Sequence, residues 1–465
     1  MKEKTIKPFG MKDKMGYMFG NIANDLTFVM ASMFLMVFYT DILKINAALV
    51  GTMFLVARVV DAFTDTIMGR IADKVKAGKG GKFKPWLIRM CGPVALASFL
   101  MYQTSMAEAS MTVRIVYMFT TYLFWGSICY TAINIPYGSM ASVMSSEADD
   151  RAALSTFRGV GSLFSGMLIG VVLPMFLYKT LEDGSQVANA ELFPIVTLLC
   201  SAAAALMYLV CYKMCTERIT IDDSQRQNVN FGKTLKSLLK NRALIGIIIV
   251  YISLLAGQMF LQTMQNYIFK DYFNNTLGIS IMGAAGMVPM LLLAPLAVPL
   301  SRKMGKREMG IACAVLSAVA YALLFILHTD NMWVFIIISI VSSLGFSLFN
   351  LIIWAFVTDI IDDHEIKTGM REDGTIYAVC SFSRKVGQAI ASGLSGWLLA
   401  MIGYVEGAAR QTEAVANNMY NITTLLPVFL YVIVIISLMF IYTLNKKKVE
   451  ENIAILKERR AAANQ

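Results

Sequence analysis

The sequence predicts an all-α membrane protein with twelve transmembrane helices in two six-helix halves. Of its 465 residues, 57% are hydrophobic and 15% are charged, whereas soluble proteins average about 25% charged residues. Apolar runs long enough to cross a bilayer recur about twelve times, and the longest polar interruption follows the sixth run. Only helices and closed barrels satisfy backbone hydrogen bonds in lipid, and these runs are too long for barrel strands.

The first predicted span follows five lysines and is too long for a signal-peptide core, so it is interpreted as a retained helix. An even number of spans puts both termini on one side of the membrane. The predicted spans are 17–42, 45–73, 85–105, 112–142, 153–180, 192–213, 242–269, 279–300, 309–327, 331–360, 375–403 and 420–445.

The loop charges predict the orientation. Lysines and arginines concentrate at the N-terminus, in 74–89, 213–242 and 302–307, and after residue 445. The loops on the opposite side carry only Lys44, Arg114, Lys179, Lys270 and Arg410. By the positive-inside rule the basic side is cytoplasmic. We therefore expect a multi-pass protein of the cell (inner or plasma) membrane with both termini in the cytoplasm. The same rule explains the net charge of +10 without a nucleic-acid partner.

The chain divides at its longest polar stretch. We expect an N-terminal half in 1–213, a cytoplasmic middle loop in 214–241, a C-terminal half in 242–446 and a tail in 447–465. The loops GRIADKVKAGKGGKFKP and VPLSRKMGKREMG occupy matched places in the two halves. Such repeats are typical of secondary transporters, although basic cytoplasmic loops are also common by convergence.

The second span holds the most informative charges, in FLVARVVDAFTDTIMGRIADK. Asp61 and Asp65 lie four residues apart, and Arg58 shares their helix face. A charge at the bilayer centre costs about 2.5–3.5 kcal/mol on insertion scales. We therefore predict a cation site, for Na⁺ as the metal or for H⁺, in which Thr131 and Asn134 supply further oxygens. A structural ion-pair lock is the alternative, but one Arg does not neutralise two carboxylates.

Other polar residues within the spans suit a sugar, because hydroxyl groups need paired donors and acceptors. A carboxylate on the ligand would favour Arg158, Arg384 or Lys385. Arg384 is the second predicted charge partner beside Arg58. The predicted sugar-binding residues are Asp25, Asn134, Arg158, Asn350, Ser381 and Lys385.

The segment DIIDDHEIKTGMREDG follows the tenth span at its cytoplasmic end. Asp359, Asp362, Glu365 and Arg371 are predicted to form a cytoplasmic gate through ion pairs with basic loops. A solvated charged loop is an equally open alternative, because exposed ion pairs contribute little.

Six motifs together give the chain a family resemblance: GNIANDLTF, FLVARVVDAFTDTIMGRIAD, GGKFKPW, YTAINIPYGSM, DIIDDHEIKTGMREDGTIYA and SFSRKVGQA. Over nearly its whole length the chain resembles the glycoside–pentoside–hexuronide:cation symporters of the major facilitator superfamily. SFSRKVGQA and NIPYGS resemble glucuronide and pentoside/xyloside carriers more than melibiose permease. The chain also departs from that permease at two positions, with Asn134 in place of an Asp and Gly138 in place of a Trp.

The resemblance implies a major facilitator fold and a division of roles among the site residues. Asp61 and Asp65, with Thr131 nearby, would hold the coupling cation. Asp25 and Arg158 would contact sugar, and Lys385 would lie near both sites.

We expect a secondary transporter that couples a glycoside, either a hexuronide or a pentoside, to Na⁺ or H⁺ by alternating access, with no other cofactor. An exporter of drug-like or lipid-like solutes and a sugar sensor without transport remain alternatives. An enzyme is disfavoured, because the sequence offers no nucleophile–base pair, metal cluster or phosphate loop.

Overall fold

The computed structural model describes residues 8–75, 78, 80–145, 147–219, 241–369 and 373–463, which are mostly helical. The α-helices are α1 (Met11–Val37), α2 (Ala47–Lys74), α3 (Lys84–Leu100), α4 (Met111–Leu123), α5 (Thr131–Met144), α6 (Ala148–Met167), α7 (Pro174–Leu177), α8 (Leu192–Met214), α9 (Arg242–Tyr267), α10 (Leu277–Met304), α11 (Lys306–Leu327), α12 (Met332–Thr368), α13 (Asp373–Met401), α14 (Glu413–Ile436) and α15 (Lys446–Ala463). A 3₁₀ helix spans Thr104–Glu108, and strands β1 (Tyr178–Thr180) and β2 (Gln186–Ala188) form an antiparallel hairpin.

Five π-helical segments lie within or at the ends of the helices. They are Phe38–Ile42, Phe124–Tyr130, Leu168–Val172, Ile268–Tyr272 and Ser437–Ile441. The segment Phe124–Tyr130 connects α4 to α5, and Leu168–Val172 lies between α6 and α7. Each of these helix pairs therefore forms one interrupted span. Counted in this way, the described residues form twelve helical segments at the places of the twelve predicted spans, and nine helices among them are long and apolar enough to cross a membrane.

Several helices extend past their predicted ends, and the two longest extensions are in α12 and α14. Helix α12 continues to Thr368 rather than 360, and Gly369, with φ of +73°, ends it in a left-handed cap. Helix α14 begins at Glu413 rather than 420, where the Thr412 hydroxyl accepts the Val415 N–H. In both cases polar helical turns continue beyond the apolar run, which hydropathy alone does not detect.

The contacts divide the chain into two compact units. The first comprises 1–226, 269–283 and 396–411, and the second comprises 227–268, 284–395 and 412–465. In the first unit, α1 packs on α6 and α8, and α5 packs on α2 and α3. In the second, α14 packs on α9 and α11, and α12 packs on α11. The predicted division at 213/214 stays a prediction, and most of 214–241 lies outside the described residues.

Glycines on α1 allow its close approach to neighbouring helices of the first unit. A Cβ on Gly20 would lie 2.4 Å from the Tyr137 ring, and Tyr17 stacks on that ring with centroids 4.7 Å apart. The Tyr137 hydroxyl donates to the Tyr17 carbonyl at 2.7 Å. This packing fixes the positions of α1 and α5, which carry several candidate site residues.

The residues that follow α8 bind the N-terminal ends of two helices. The Glu217 carboxylate accepts the backbone N–H groups of Lys82, Phe83 and Lys84 at 2.6, 2.9 and 2.6 Å, at the N-terminus of α3. Arg218 donates to both carboxylate oxygens of Asp13 on α1, at 3.1 and 2.7 Å. These bonds anchor the start of the predicted middle loop to the first unit.

Candidate functional site

Two carboxylates on α2 each accept a hydroxyl from the neighbouring span. The Ser127 hydroxyl donates to Asp61 Oδ1 at 2.6 Å, and the Thr131 hydroxyl donates to Asp65 Oδ1 at 2.9 Å. Ser127 lies in the π-helical segment Phe124–Tyr130, and Thr131 begins α5. Asp61 and Asp65 are four residues apart, as are their partners Ser127 and Thr131, so the two pairs lie along one helix interface. Together they bring hard oxygen atoms from four side chains to this interface.

Arg58 places a positive charge at this cluster. Its Nη1 lies 3.2 Å from Asp61 Oδ2, and the two side chains are 19% and 13% exposed. The guanidinium also lies over the Phe28 ring, 5.5 Å from its centroid, and Phe28 stacks on Tyr130. Since Arg58 offsets one of the two carboxylate charges, the Arg58, Asp61 and Asp65 group carries a net charge of −1 when all three are ionised.

Asp25 and Arg158 meet through Asn21, which lies one helical turn before Asp25. Arg158 Nε donates to Asn21 Oδ1 at 2.9 Å, and Asn21 Nδ2 donates to Asp25 Oδ2 at 2.8 Å. The Ser165 hydroxyl donates to the same Asp25 oxygen at 3.0 Å. Arg158 is exposed while Asp25 is half-buried, so donors and an acceptor for polyhydroxyl groups lie side by side.

Tyr130 lies between the two groups of charges. It is within electrostatic range of Asp25, Arg158, Arg58 and Asp65. The first unit therefore places the predicted cation ligands and two predicted sugar contacts around one aromatic side chain. Asn134 lies one turn after Thr131 on α5 and is half-buried.

The remaining predicted contacts lie in the second unit. The Arg384 guanidinium lies 5.3 Å from the Trp354 ring centroid and 5.9 Å from that of Tyr251. Tyr377 stacks on Trp354, with the ring centroids 4.9 Å apart. Asn350 is one turn before Trp354 on α12. On α13, Ser381 is half-buried and Lys385 is exposed.

Three of the predicted gate residues, Asp359, Asp362 and Glu365, lie in helix α12 and not in a solvated loop. Asp359 is buried in α12 and accepts Lys306 Nζ at 2.6 Å, within the second unit. Asp362 and Glu365 are half-buried on the same helix, and Arg371 lies outside the described residues. The gate role itself stays a prediction.

Sequence reasoning missed several partners of the site residues. Asn21 and Asp25 are four apart on α1, so their shared face was available as a signal. Ser127 was not recognisable, because a π-helical turn changes the register that an α-helical spacing predicts. Lys270 was predicted to lie in a loop between spans, but it lies in the π-helical segment Ile268–Tyr272, where its side chain is 2% exposed beside Asp41 and Asp271.

Among the described residues, no group of three or more His, Cys, Asp or Glu side chains is arranged to hold a metal ion. A cation at Asp61 and Asp65 would thus rely on hydroxyl, carbonyl or water oxygens besides the two carboxylates. That donor set fits a hard monovalent ion better than a transition metal.

A sequence model of the MFS/sugar transport protein family matches residues 16–446 of the chain. The chain belongs to this family. The uncharacterized symporter YjmB of Bacillus subtilis (strain 168) is 31% identical over 412 residues, which cover 88% of each protein. The glucuronide carrier protein homolog of Escherichia coli (strain K12) is 29% identical over 454 residues, which cover 97% of this chain and 96% of that protein.

The solved structures agree on the architecture of this family member. The crystal structure of nucleoside transporter NupG superposes with a TM-score of 0.63 at 14% identity, and covers 94% of this chain and 100% of that one. At this identity the likeness shows the fold alone. The predicted major facilitator fold and the resemblance to the sugar:cation symporters are confirmed, and the MFS/sugar transport protein described here is a membrane transporter of the sugar class.

Proposed function

We propose that the chain is a symporter that moves a glycoside together with one monovalent cation by alternating access. The observation that carries this proposal is the adjacency of two chemically different polar groups in one unit. Asp61 and Asp65 offer oxygen ligands to a cation, and Asp25 and Arg158 offer hydrogen bonds to hydroxyl groups.

The charges of this cluster support the binding of a cation. Asp61 and Asp65 place two carboxylates beside the Arg58 guanidinium, and a bound Na⁺ or H⁺ would offset negative charge there. A neutral cluster costs less to enclose when the transporter closes around its ligands. The cation therefore prepares the site for the sugar, and this links the two substrates energetically.

The sugar is proposed to bind near Tyr130, with Asp25 accepting from one hydroxyl and Arg158 donating to another group. We favour a hexuronide over a pentoside, because a guanidinium binds a carboxylate through two parallel hydrogen bonds. The glucuronide carrier homolog among the relatives supports the same preference. Asn134 in the first unit, and Asn350, Ser381 and Lys385 in the second, are each proposed as sugar contacts, and Arg384 as a charge partner.

The concentration of Lys and Arg in one set of loops supports a cell-membrane protein with both termini in the cytoplasm. In this orientation Asp359, paired with Lys306, lies at the cytoplasmic end of α12. Asp359, Asp362 and Glu365, with Arg371, are proposed to act there as a gate.

Uptake into liposomes by the purified full-length protein tests the proposal. A glucuronide, a xyloside and a galactoside are each offered under an inward Na⁺ gradient and, separately, under an inward proton gradient. We expect one sugar to accumulate under one gradient. Asp61→Asn should abolish accumulation, while the control Asp149→Asn, which changes an exposed acid at the start of α6, should leave it intact.

Three outcomes would change the assignment. Accumulation that persists in Asp61→Asn would remove the cation role from α2. Sugar binding without movement under either gradient would favour a sensor. Transport of hydrophobic cations that sugars do not inhibit would favour an exporter of drug-like solutes.

A further inference from the structure

A second buried ionic cluster lies in the first unit, apart from the cation site. Asp41 comes from the π-helical segment that ends the first span, Lys270 and Asp271 from the segment that ends α9, and Tyr404 from the connection after α13. The side chains of Asp41, Lys270 and Asp271 are 6%, 2% and 1% exposed. Tyr404 is 4% exposed. Two carboxylates and one ammonium group are thus enclosed together.

The hydrogen bonds divide unequally between the two acids. Asp41 Oδ2 accepts Lys270 Nζ in a short contact, and Asp41 Oδ1 accepts the Tyr404 hydroxyl at 2.8 Å and the Thr40 hydroxyl at 3.0 Å. Lys270 Nζ also lies 3.0 Å from the Tyr404 oxygen. Asp41 therefore has the partners that an ionised carboxylate requires.

Asp271 has fewer partners. Its Oδ2 lies 3.3 Å from Lys270 Nζ, and its Oδ1 is buried with no hydrogen-bond partner. The Tyr404 hydroxyl is 3.5 Å from Oδ2, but its single proton serves Asp41 at the shorter distance. An ionised carboxylate with one bare buried oxygen is costly, because it loses hydration without a replacement.

Within the part of the chain that the structure describes, Lys270 is the one basic side chain paired with Asp41 or Asp271. Tyr178 on β1 lies within electrostatic range of both carboxylates and is itself neutral or negative. Lys44 is exposed, and Glu406 accepts from Asn46 Nδ2 and the Ala47 N–H. With Asp41 and Asp271 ionised and Lys270 protonated, the enclosed group would keep a charge of −1.

We propose that this cluster is a proton-binding site in which Asp271 holds the proton while Asp41 stays ionised against Lys270. The bound proton makes the enclosed group neutral. When these side chains separate and water reaches Asp271, the proton leaves, so any step of the transport cycle that opens the cluster depends on pH. This site does not depend on which sugar or coupling ion the chain uses.

Thermal unfolding of the purified full-length protein between pH 5 and pH 8 tests the site. A native state that holds a proton which the unfolded chain releases loses stability as pH rises. We expect the melting temperature of the wild type to fall across this range. Asp271→Asn should reduce the dependence of the free energy of unfolding on pH, which is the pH slope, by the equivalent of about one proton. This variant should also be more stable than the wild type at pH 8.

Asp183→Asn is the matched control. Asp183 is exposed in the β1–β2 turn, where the Ser185 hydroxyl and N–H keep the pKa of its carboxyl below the usual value. It is thus ionised throughout the tested range, and its replacement should leave the slope unchanged. The same curves are recorded for Asp41→Asn, which leaves one acid for one lysine and should also lose the proton-linked slope.

Infrared spectroscopy gives a readout that does not require the variants to be equally stable. The wild type at pH 6 should show a protonated carboxyl carbonyl band that disappears in Asp271→Asn. Identical pH slopes in wild type and Asp271→Asn, or the same band in both, would overturn the proposal. If Asp271→Asn does not fold, absence of a titrating carboxyl band from the wild type overturns it equally.

Discussion

Arg158→Lys separates the geometry of a guanidinium from its charge. The substitution keeps one positive charge but removes the Nε donor, which bonds Asn21 Oδ1 at 2.9 Å, and the planar group that lies 5.8 Å from the Tyr137 ring centroid. These contacts orient the guanidinium, which is proposed to bind sugar directly. A hydrogen bond from a charged group to the sugar contributes about 1.5–3 kcal/mol. Since 1.4 kcal/mol is tenfold in affinity, loss of one such bond should raise the Kd for sugar by roughly tenfold or more.

The assay is isothermal titration of the purified protein with two p-nitrophenyl glycosides, a glucuronide and a xyloside. If Arg158 binds the carboxylate, the glucuronide should lose more affinity than the xyloside, because an ammonium group does not form the paired bonds of a guanidinium. Arg151→Lys is the control, since Arg151 is an exposed arginine on the same helix. Circular dichroism confirms that each variant keeps its helices.

Two results would refute parts of this reasoning. If Arg158→Lys binds both glycosides within twofold of the wild type, Arg158 does not contact sugar. If both glycosides lose affinity equally, Arg158 contributes to the site, but the preference for an acidic sugar is wrong.

Three further substitutions have clear expected outcomes. Thr131→Val should raise the cation concentration that gives half-maximal uptake by about tenfold, because one charge-assisted hydrogen bond is lost. Thr131→Ser keeps the hydroxyl, so a cation titration of uptake should give the wild-type concentration. Glu217→Gln should destabilise the protein by about 1.5–3 kcal/mol, seen as a lower melting temperature that exposed Glu182→Gln does not share. Gly283→Ala should lower the free energy of unfolding by about 1–3 kcal/mol through overpacking, because its Cβ would lie 2.3 Å from a backbone oxygen. Gly286→Ala should be tolerated, because a Cβ there would have nothing within 4 Å. Equal melting temperatures for the two variants would contradict the close packing at Gly283.

Much of the fold follows from hydropathy and charge, because a span in lipid must be both apolar and helical. The same physics exposes the candidate site. Asp61 and Asp65 are conspicuous since ionised groups are expensive inside an apolar run, and their spacing already indicates a shared face. The hydrogen bond from Thr131 to Asp65 is consistent with the predicted cation ligands, whose role stays a prediction.

The unpredicted parts depend on backbone groups and on contacts distant in sequence. Glu217 binds three backbone N–H groups, which carry no side-chain signature in the sequence. Lys270 follows an apolar run and resembles a loop residue, and only its distance from Asp41 in space reveals why it is buried. Ser127 depends on a local departure from α-helical register, which no pattern of residue types specified.

That departure has a mechanical consequence for the helix that contains it. The π-helical segment Phe124–Tyr130 accommodates an extra residue in the span between α4 and α5. If it relaxed into an α-helix, every residue on one side would turn by about 100° about the axis and shift by about 1.5 Å along it. The Ser127 and Thr131 hydroxyls would then move away from the two α2 carboxylates together. A small change in helical winding would thus break both hydrogen bonds at once.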